Sequence, residues 1–185
     1  MLNQLTRLFF PSAERQRAHL IYVALVEQSR NPFFYTTRQV PDTLDGRFEL
    51  ILLHMYLVLH RLKAAHGGQF DAKESGFERE LIEVFVEDMD RSLREIGVGD
   101  LGVGRRVKVM ANAFYGRLQS YETARQADAA VLQDSLARNL YGTTQATPDT
   151  LAAMEDYVQT SVTELAAQPL ATIQEGRITF LAMGA

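Results

Sequence analysis

Residues 85–121 read FVEDMDRSLREIGVGDLGVGRRVKVMANAFYGRLQSY, and this stretch decides the fold. Apolar residues recur every three or four positions on both sides of a glycine-rich centre, which predicts two amphipathic helices. Gly97 is well placed to end the first helix in a left-handed turn. We therefore predict a helical hairpin whose bend covers residues 97–102.

The two arms of this hairpin carry opposite charge. From residue 78 to 95, acidic residues outnumber basic ones by seven to three, whereas the second arm carries Arg105, Arg106, Lys108 and Arg117. We expect the opposite charges to favour pairing of the two helices. Since an exposed ion pair contributes only about 0–1 kcal/mol, apolar packing must hold the hairpin together.

The bend also matches G-x-G-x-x-G, the pattern of a dinucleotide-binding turn. That pattern requires a preceding strand within a βαβ unit. Here a periodic helix precedes it, and no strand alternation is evident in the chain. We interpret these glycines as a tight turn that allows close helix packing, with Asp100 as a cap for the following helix.

The segment before the hairpin, a predicted helix over about 43–65, contains LILLHMYLVL at residues 50–59. Because this run is apolar on nearly every side, it belongs at the centre of a helical bundle. Ten residues are too few to cross a membrane. His54, His60 and His66 repeat every six residues, so each side chain turns about 240° from the last and the three cannot share a metal ion.

Further helices are predicted over residues 12–30, 128–141 and 148–167, with one helical turn in the aromatic-rich segment 32–41. The tail from residue 169 is expected to form one more turn and an extended end. For residues 2–9 two interpretations stay open, a short helix on the core or a foot on a membrane surface. The fold class is therefore all-α, a compact single domain over 1–185 with about six to seven helices.

Composition excludes several classes of function. The chain has 185 residues, of which 46% are hydrophobic and 23% charged, and its net charge of −4 does not favour nucleic acid as a partner. There is no cysteine, so disulfides and Cys-ligated metals are excluded and a reducing cytosol is expected. No apolar run is long enough for a membrane span, and the first residues do not resemble an export signal.

No catalytic motif is evident. The chain lacks a G-x-S-x-G elbow, a P-loop and a His/Glu metal motif. Glu83 and Glu87 are an acidic pair spaced four apart that could share a cation, and a solvated acidic face explains them more simply. We therefore predict a protein that is not an enzyme, with no catalytic residue, no cofactor and no metal site.

Four ordered motifs carry a resemblance to a known family. They are VPDTLDGRFELILLHMYLVLHRL (40–62), DMDRSLREIGVGDLGVGRRVK (88–108), AFYGRLQSY (113–121) and LARNLYG (136–142). The chain resembles the bacterial form of the ubiquinol-cytochrome c chaperone family over about residues 15–142. Residues 143–185 then form a helical extension without a matching motif.

The resemblance implies an all-α, non-enzymatic assembly factor for the cytochrome bc complex, respiratory complex III. Its expected client is newly made cytochrome b or its nascent chain, with the ribosome or a membrane surface as further partners and no DNA. It implies a cytoplasmic protein, with a peripheral position at the inner membrane as a further expectation. The oligomeric state stays open.

The resemblance matches this chain at residues that can serve as caps, turns, interhelix ion pairs or a partner surface. These residues are Asp42, Asp45, Gly46, Arg47, Asp88, Asp90, Arg91, Arg94, Gly97, Gly99, Asp100, Gly102, Tyr115, Gly116 and Arg117. The residues that we predict to contact a partner are Phe33, Phe34, Tyr35, Arg47, Arg91, Arg105, Arg106 and Lys108.

Three functional classes predict different surfaces. A chaperone requires an apolar groove or patch, and the lining that we predict is Phe33, Phe34, Tyr35, Leu50, Leu53, Tyr56 and Leu57. For the three aromatic residues 33–35 two interpretations stay open, core anchors or a partner-facing patch. A protein that binds a lipid, quinone or haem requires an enclosed pocket with converging polar groups. A nucleic-acid binder requires a continuous basic face through residues 105–117.

Overall fold

A computed structural model of the chain describes residues 12–64, 67, 76–95, 97 and 99–183. Every regular element within those residues is an α-helix, which confirms the predicted fold class. The helices are α1 (Ala13–Ser29), α2 (Pro32–Thr36), α3 (Leu44–Ala64), α4 (Gly76–Glu95), α5 (Asp100–Ala127), α6 (Ala129–Asn139), α7 (Pro148–Ala167) and α8 (Leu170–Gln174). Residues 2–9, for which the sequence leaves a short helix and a membrane foot open, lie outside the described residues.

Helix α3 is the centre of the bundle. It packs against α1, α5 and α7, while α4 packs between α1 and α5, and α6 packs between α5 and α7. All side chains from Leu52 to Leu59 are buried. A helix that is apolar on every side excludes water from every side only when other helices surround it. None of the helices in the described part of the chain is both long and apolar enough to span a bilayer.

Local signals set most helix ends. The hydroxyls of Ser12 and Thr147 accept hydrogen bonds from backbone N–H groups three residues on, at 3.1 and 3.2 Å. The prediction that Asp100 caps α5 was wrong, because Asp100 is the first helical residue and Gly99 precedes it in extended conformation. The Gly99 carbonyl oxygen accepts the first helical bonds, from the N–H groups of Gly102 and Val103.

The bend between α4 and α5 is a glycine turn and not a nucleotide loop. Gly97 adopts φ 84°, a conformation that L side chains rarely adopt, and the elements on both sides of the bend are helices. Two acidic residues of α4 pair with α1 and not with α5, in contrast to the predicted pairing. Arg15 of α1 reaches Glu80 at 3.2 Å and Glu83 at 3.5 Å, so these acids bind α1 instead of α5.

Candidate functional site

At one end of the bundle, α3 presents apolar side chains on a single face. Leu44, Phe48 and Ile51 follow one another at intervals of four and three residues, which places them in one stripe along the helix. Leu44 is 68% exposed, and Phe48 and Ile51 are half-buried. This stripe lies just before the fully buried run of α3, so the helix leaves the core here with one apolar face uncovered.

Helices α5 and α4 present matching stripes. Between the buried residues Val103 and Phe114, no side chain of α5 is fully buried, and Val109 is 62% exposed. Met89 and Leu93 lie one turn apart on α4 and are buried. The first half of α5 therefore stands clear of the core with apolar residues on its surface.

The three stripes face one another across a groove of about 960 Å³. One end is closed by the connection between α1 and α2. Phe48 lies at its floor, and its ring stacks on Phe85 with centroids 6.4 Å apart. The groove is lined by Ser29, Arg30, Pro32, Tyr35, Thr36, Asp42, Leu44, Asp45, Arg47, Phe48, Glu49, Ile51, Asp88, Met89, Ser92, Leu93, Val109, Met110 and Ala113.

Charged side chains surround this apolar floor, and acids outnumber bases by four to two. Arg47 donates a hydrogen bond to Asp42 at 2.7 Å, and this bond lowers the pKa of the Asp42 carboxyl. Asp88 accepts a hydrogen bond from the Tyr22 hydroxyl at 2.8 Å. Asp45 is exposed on the first turn of α3. The rim can therefore orient a polar or charged group of a ligand while the floor contacts its apolar part.

Two of the predicted contact residues line the groove. Arg47 lies at the rim, and Tyr35 lies beside it with its hydroxyl donating to the Ser29 carbonyl at 2.9 Å. Burial raises the pKa of Tyr35. Phe33 lies outside the groove, and its ring packs under the Arg38 guanidinium at 5.0 Å.

The predicted groove lining is otherwise corrected by the structure. Phe34, Leu50, Leu53, Tyr56 and Leu57 are completely buried and do not reach the groove. The physical reason is that the apolar run of α3 is surrounded by helices, which leaves no open side at these positions. Phe34 is a core anchor for the same reason.

The remaining predicted contacts are exposed cations outside the groove. Arg91 lies near the end of α4, and Arg105, Arg106 and Lys108 lie on the first half of α5. Arg117 is held in an ion pair with Glu49 at 2.8 Å, so its charge is neutralised inside the fold. The continuous basic face through 105–117 that nucleic-acid binding requires is therefore interrupted at Arg117.

Sequence reasoning missed most of the groove, although a signal was present. Leu44, Phe48 and Ile51 form a stripe on one face, whereas the run that follows is apolar all round. A one-sided stripe that continues past the core is the pattern expected for an open face.

The histidines serve the fold. His54 is buried, and its Nδ1 lies 2.7 Å from the Leu50 carbonyl oxygen, which can only accept, so Nδ1 carries the proton. Its Nε2 then accepts from the Tyr157 hydroxyl at 2.8 Å. His60 donates through Nδ1 to Glu122 at 2.9 Å. Within the described part of the chain, no group of three or more His, Asp or Glu side chains could hold a metal ion.

An all-helical chain with an open, apolar-floored groove and a charged rim has the features of a protein that binds another polypeptide by helix-in-groove contact. Comparison with known proteins identifies the family. Residues 36–180 match the family model described as Ubiquinol-cytochrome C chaperone, and the chain belongs to that family. The match continues beyond residue 142, where the quoted motifs end.

Several relatives support the same assignment. The chain is 25% identical over 140 residues to ubiquinol-cytochrome c reductase complex assembly factor 1 of Mus musculus, covering 75% of this chain and 45% of that protein. The Homo sapiens protein of that name is 25% identical over 143 residues, with 77% and 46% covered. The chain thus spans about half the length of these curated relatives.

A solved structure is similar over almost the whole chain. The crystal structure of the Cbp3 homolog from Brucella abortus superimposes with a TM-score of 0.77 and is 33% identical in sequence. The superposition covers 98% of this chain and 97% of that one. This chain and the Brucella abortus chain therefore match over nearly their full lengths, whereas the chain spans only about half of the mammalian relatives.

Proposed function

We propose that this chain is a non-enzymatic assembly factor for the cytochrome bc complex, respiratory complex III, and that it holds newly made cytochrome b in the groove between α3, α4 and α5. Family membership and the names of the relatives support the assembly role. The observation that supports the groove as the client site is that apolar side chains of three helices line one open groove, where those of α3 and α5 are partly exposed.

The groove has the physical properties that such a client requires. A newly made membrane protein exposes apolar helices, and burying a large apolar side chain stabilises a complex by about 1.5–3 kcal/mol. Leu44 of α3 and Val109 of α5 are the most exposed of the large apolar side chains in the described residues, and both line the groove. Met89 and Met110 are flexible enough to adapt to different client side chains.

The residues that carry the family resemblance support the same location. Asp42, Asp45, Arg47 and Asp88 belong to the quoted motifs, and all four line the groove. Their charges would determine the direction in which a client helix lies, while the apolar floor would supply most of the affinity. The exposed cations outside the groove are available for a ribosome or an anionic membrane surface, and we propose such a contact as a secondary role.

The alternative is a protein that binds a lipid, quinone or haem. It requires a site that encloses most of the small molecule. The groove has the volume for such a molecule, but its walls end in Leu44 and Val109, which face solvent. This open geometry favours a polypeptide client over an enclosed ligand.

Pull-down of cytochrome b segments by the purified chain tests this proposal. Val109→Asp places a charge in the apolar wall, and we expect it to weaken binding at least tenfold. Val131→Asp is the matched control, because Val131 is 39% exposed on α6 and lies outside the groove. Equal binding by wild type and Val109→Asp would show that the groove is not the client site.

Deletion of the gene in the source organism tests the assembly role independently of the groove. We expect cytochrome b and complex III to fall together, and to recover with the wild-type chain and with Val131→Asp. Val109→Asp should fail to restore them. Normal levels of both in the deletion strain would contradict the assembly role itself.

A further inference from the structure

The last described residues form an extended segment that crosses the helices. After Gly176, which adopts φ 87°, residues 177–183 follow without helical structure. Ile178, Phe180, Leu181 and Met183 are half-buried and pack against the core, while Thr179 and Ala182 are exposed. We call residues 177–183 the tail. Its alternation at residues 178–180 is that of an extended strand lying on an apolar surface.

Side-chain amides hold the backbone of the tail. The Thr179 N–H donates to Gln168 Oε1 at 3.0 Å, and Gln168 Nε2 donates to the Thr179 carbonyl at 2.7 Å. This two-point contact reproduces what a neighbouring strand would offer. Gln28 of α1 donates to the Leu181 carbonyl at 3.0 Å. These contacts recognise the main chain of the tail and are therefore independent of its side chains.

The surface beneath the tail is built from buried polar and aromatic groups. Gln28 Nε2 lies 3.3 Å from the Tyr157 hydroxyl, which in turn donates to His54. The Phe180 ring meets the His54 ring edge-on, with centroids 5.7 Å apart. Because His54 and Tyr157 are anchored in α3 and α7, this surface keeps its shape through contacts that do not include the tail.

The tail is held less firmly than the helices around it. None of residues 177–183 is fully buried, and no helical hydrogen-bond ladder runs through them. Segments with few buried side chains and no regular hydrogen-bond ladder open at a small fraction of the global unfolding free energy. The surface beneath the tail, which we call the cleft, can therefore lose the tail while the bundle stays folded.

We propose that the cleft between α1 and α7 is a binding site for extended apolar peptides, occupied in cis by the tail. Its ligand is an extended segment of a partner polypeptide with large apolar side chains two residues apart, matching Ile178 and Phe180. Such a segment takes over the hydrogen bonds of the Gln168 and Gln28 side chains, because those bonds use only main-chain atoms of the tail. The site is separate from the groove and does not depend on the proposed client.

A fluorescent peptide of residues 176–183, GRITFLAM, tests the cleft on the full chain. The tethered tail competes with a free peptide at an effective concentration in the millimolar range. Phe180→Ala in the chain weakens the packing of the tail on the cleft. We therefore expect the variant chain to bind the peptide at least tenfold more tightly than the wild-type chain does. Adding Gln168→Ala to that chain should reduce binding at least tenfold, and a peptide with Phe180→Ala should not bind.

Three results would overturn the proposal. The first is that a Phe180→Ala chain with wild-type helical content does not bind the peptide. The second is binding that is unchanged by Gln168→Ala.

Hydrogen exchange of the wild-type chain gives a test that needs no variant, because the Thr179 amide should exchange at least a hundredfold faster than amides in the middle of α7. Equal protection would be the third contradicting result. Val109→Asp should leave peptide binding unchanged.

Discussion

The guanidinium of Arg117 binds the carboxylate of Glu49 through two hydrogen bonds, at 2.9 and 2.8 Å. The pair joins α5 to α3 at the point where Glu49 lines the groove. The hydrogen bonds that Arg117 donates to Glu49 raise the pKa of Arg117, so its guanidinium stays charged. This ion pair ties α5 to α3 beside the groove.

Arg117→Lys removes the two-point geometry but keeps the charge. A lysine ammonium cannot match both carboxylate oxygens as a planar guanidinium does, so we expect a loss of about 1 kcal/mol in the free energy of unfolding. Urea denaturation measures this loss. Arg79→Lys is the control, since Arg79 pairs with Glu83 over 3.9 Å on an exposed surface and should change stability by less than about 0.5 kcal/mol. Equal effects would show that the two-point pair has no special role.

His54 makes stability fall in mild acid. Burial lowers the pKa of His54 to about 4, with partial opposition from its bond to Leu50, whereas an unfolded histidine has its pKa near 6.5. Between these values the unfolded chain binds a proton that the folded chain does not. Stability should therefore fall as pH drops from 7 to 5, by about 2 kcal/mol from this residue.

His54→Gln should remove this contribution to the pH dependence. Urea denaturation of the variant at pH 7 and pH 5 should show a correspondingly smaller difference than wild type shows. His19→Gln is the control, because His19 is exposed on α1 and its replacement should leave the wild-type difference intact. If the His54→Gln variant lost as much stability between pH 7 and pH 5 as wild type does, the pH dependence could not be assigned to His54.

Glu122 affects the stability of the fold in a lower pH range than His54 does. Burial alone would raise the pKa of Glu122, but hydrogen bonds and charge from His60, Tyr56 and Arg125 outweigh it and lower the pKa to about 2. Because the folded pKa lies below the unfolded one, this stabilisation is present above pH 4.5 and is lost as pH falls towards 2.

Glu122→Gln should lower the free energy of unfolding by about 1–3 kcal/mol at pH 7. The difference between variant and wild type should shrink as pH falls below 4.5, when the wild-type carboxylate becomes protonated in the unfolded chain. Chemical denaturation at pH 7, 4 and 3 measures this trend. A difference that stays constant over that range would show that charge is not the source of the stabilisation.

Gly46 and Gly116 provide a matched pair on two helices. A Cβ atom at Gly46 would lie 2.0 Å from the carbonyl oxygen of Pro41, whereas one at Gly116 has no atom within 4 Å. Gly46→Ala must push the α3 start away from the preceding loop, so we expect a loss of about 1–3 kcal/mol. Gly116→Ala should raise stability by about 0.5–1 kcal/mol, since alanine favours a helix. Thermal melting compares the two, and similar shifts would contradict the close contact at Pro41.

The helices could be predicted from the sequence because their signals are local. Apolar spacing identified the helices with ends within a few residues of those observed, and in the structure Ser12 and Thr147 cap two of them. The central position of α3 followed from its apolar run. The same run then led to a wrong groove lining, because side chains such as Leu53 and Tyr56 are too well surrounded to face solvent.

The amino-acid sequence alone determined the all-α class, the order of the helices and the family, since each depends on spacing and motifs within short stretches. Tertiary structure decided the groove and the cleft. Phe48 and Val109 share one site, and Gln28 and Leu181 share the other, although both pairs are far apart in the chain. Whether these residues come together depends on how the helices pack and on which faces the packing leaves uncovered. A local sequence pattern does not specify the position of a distant helix.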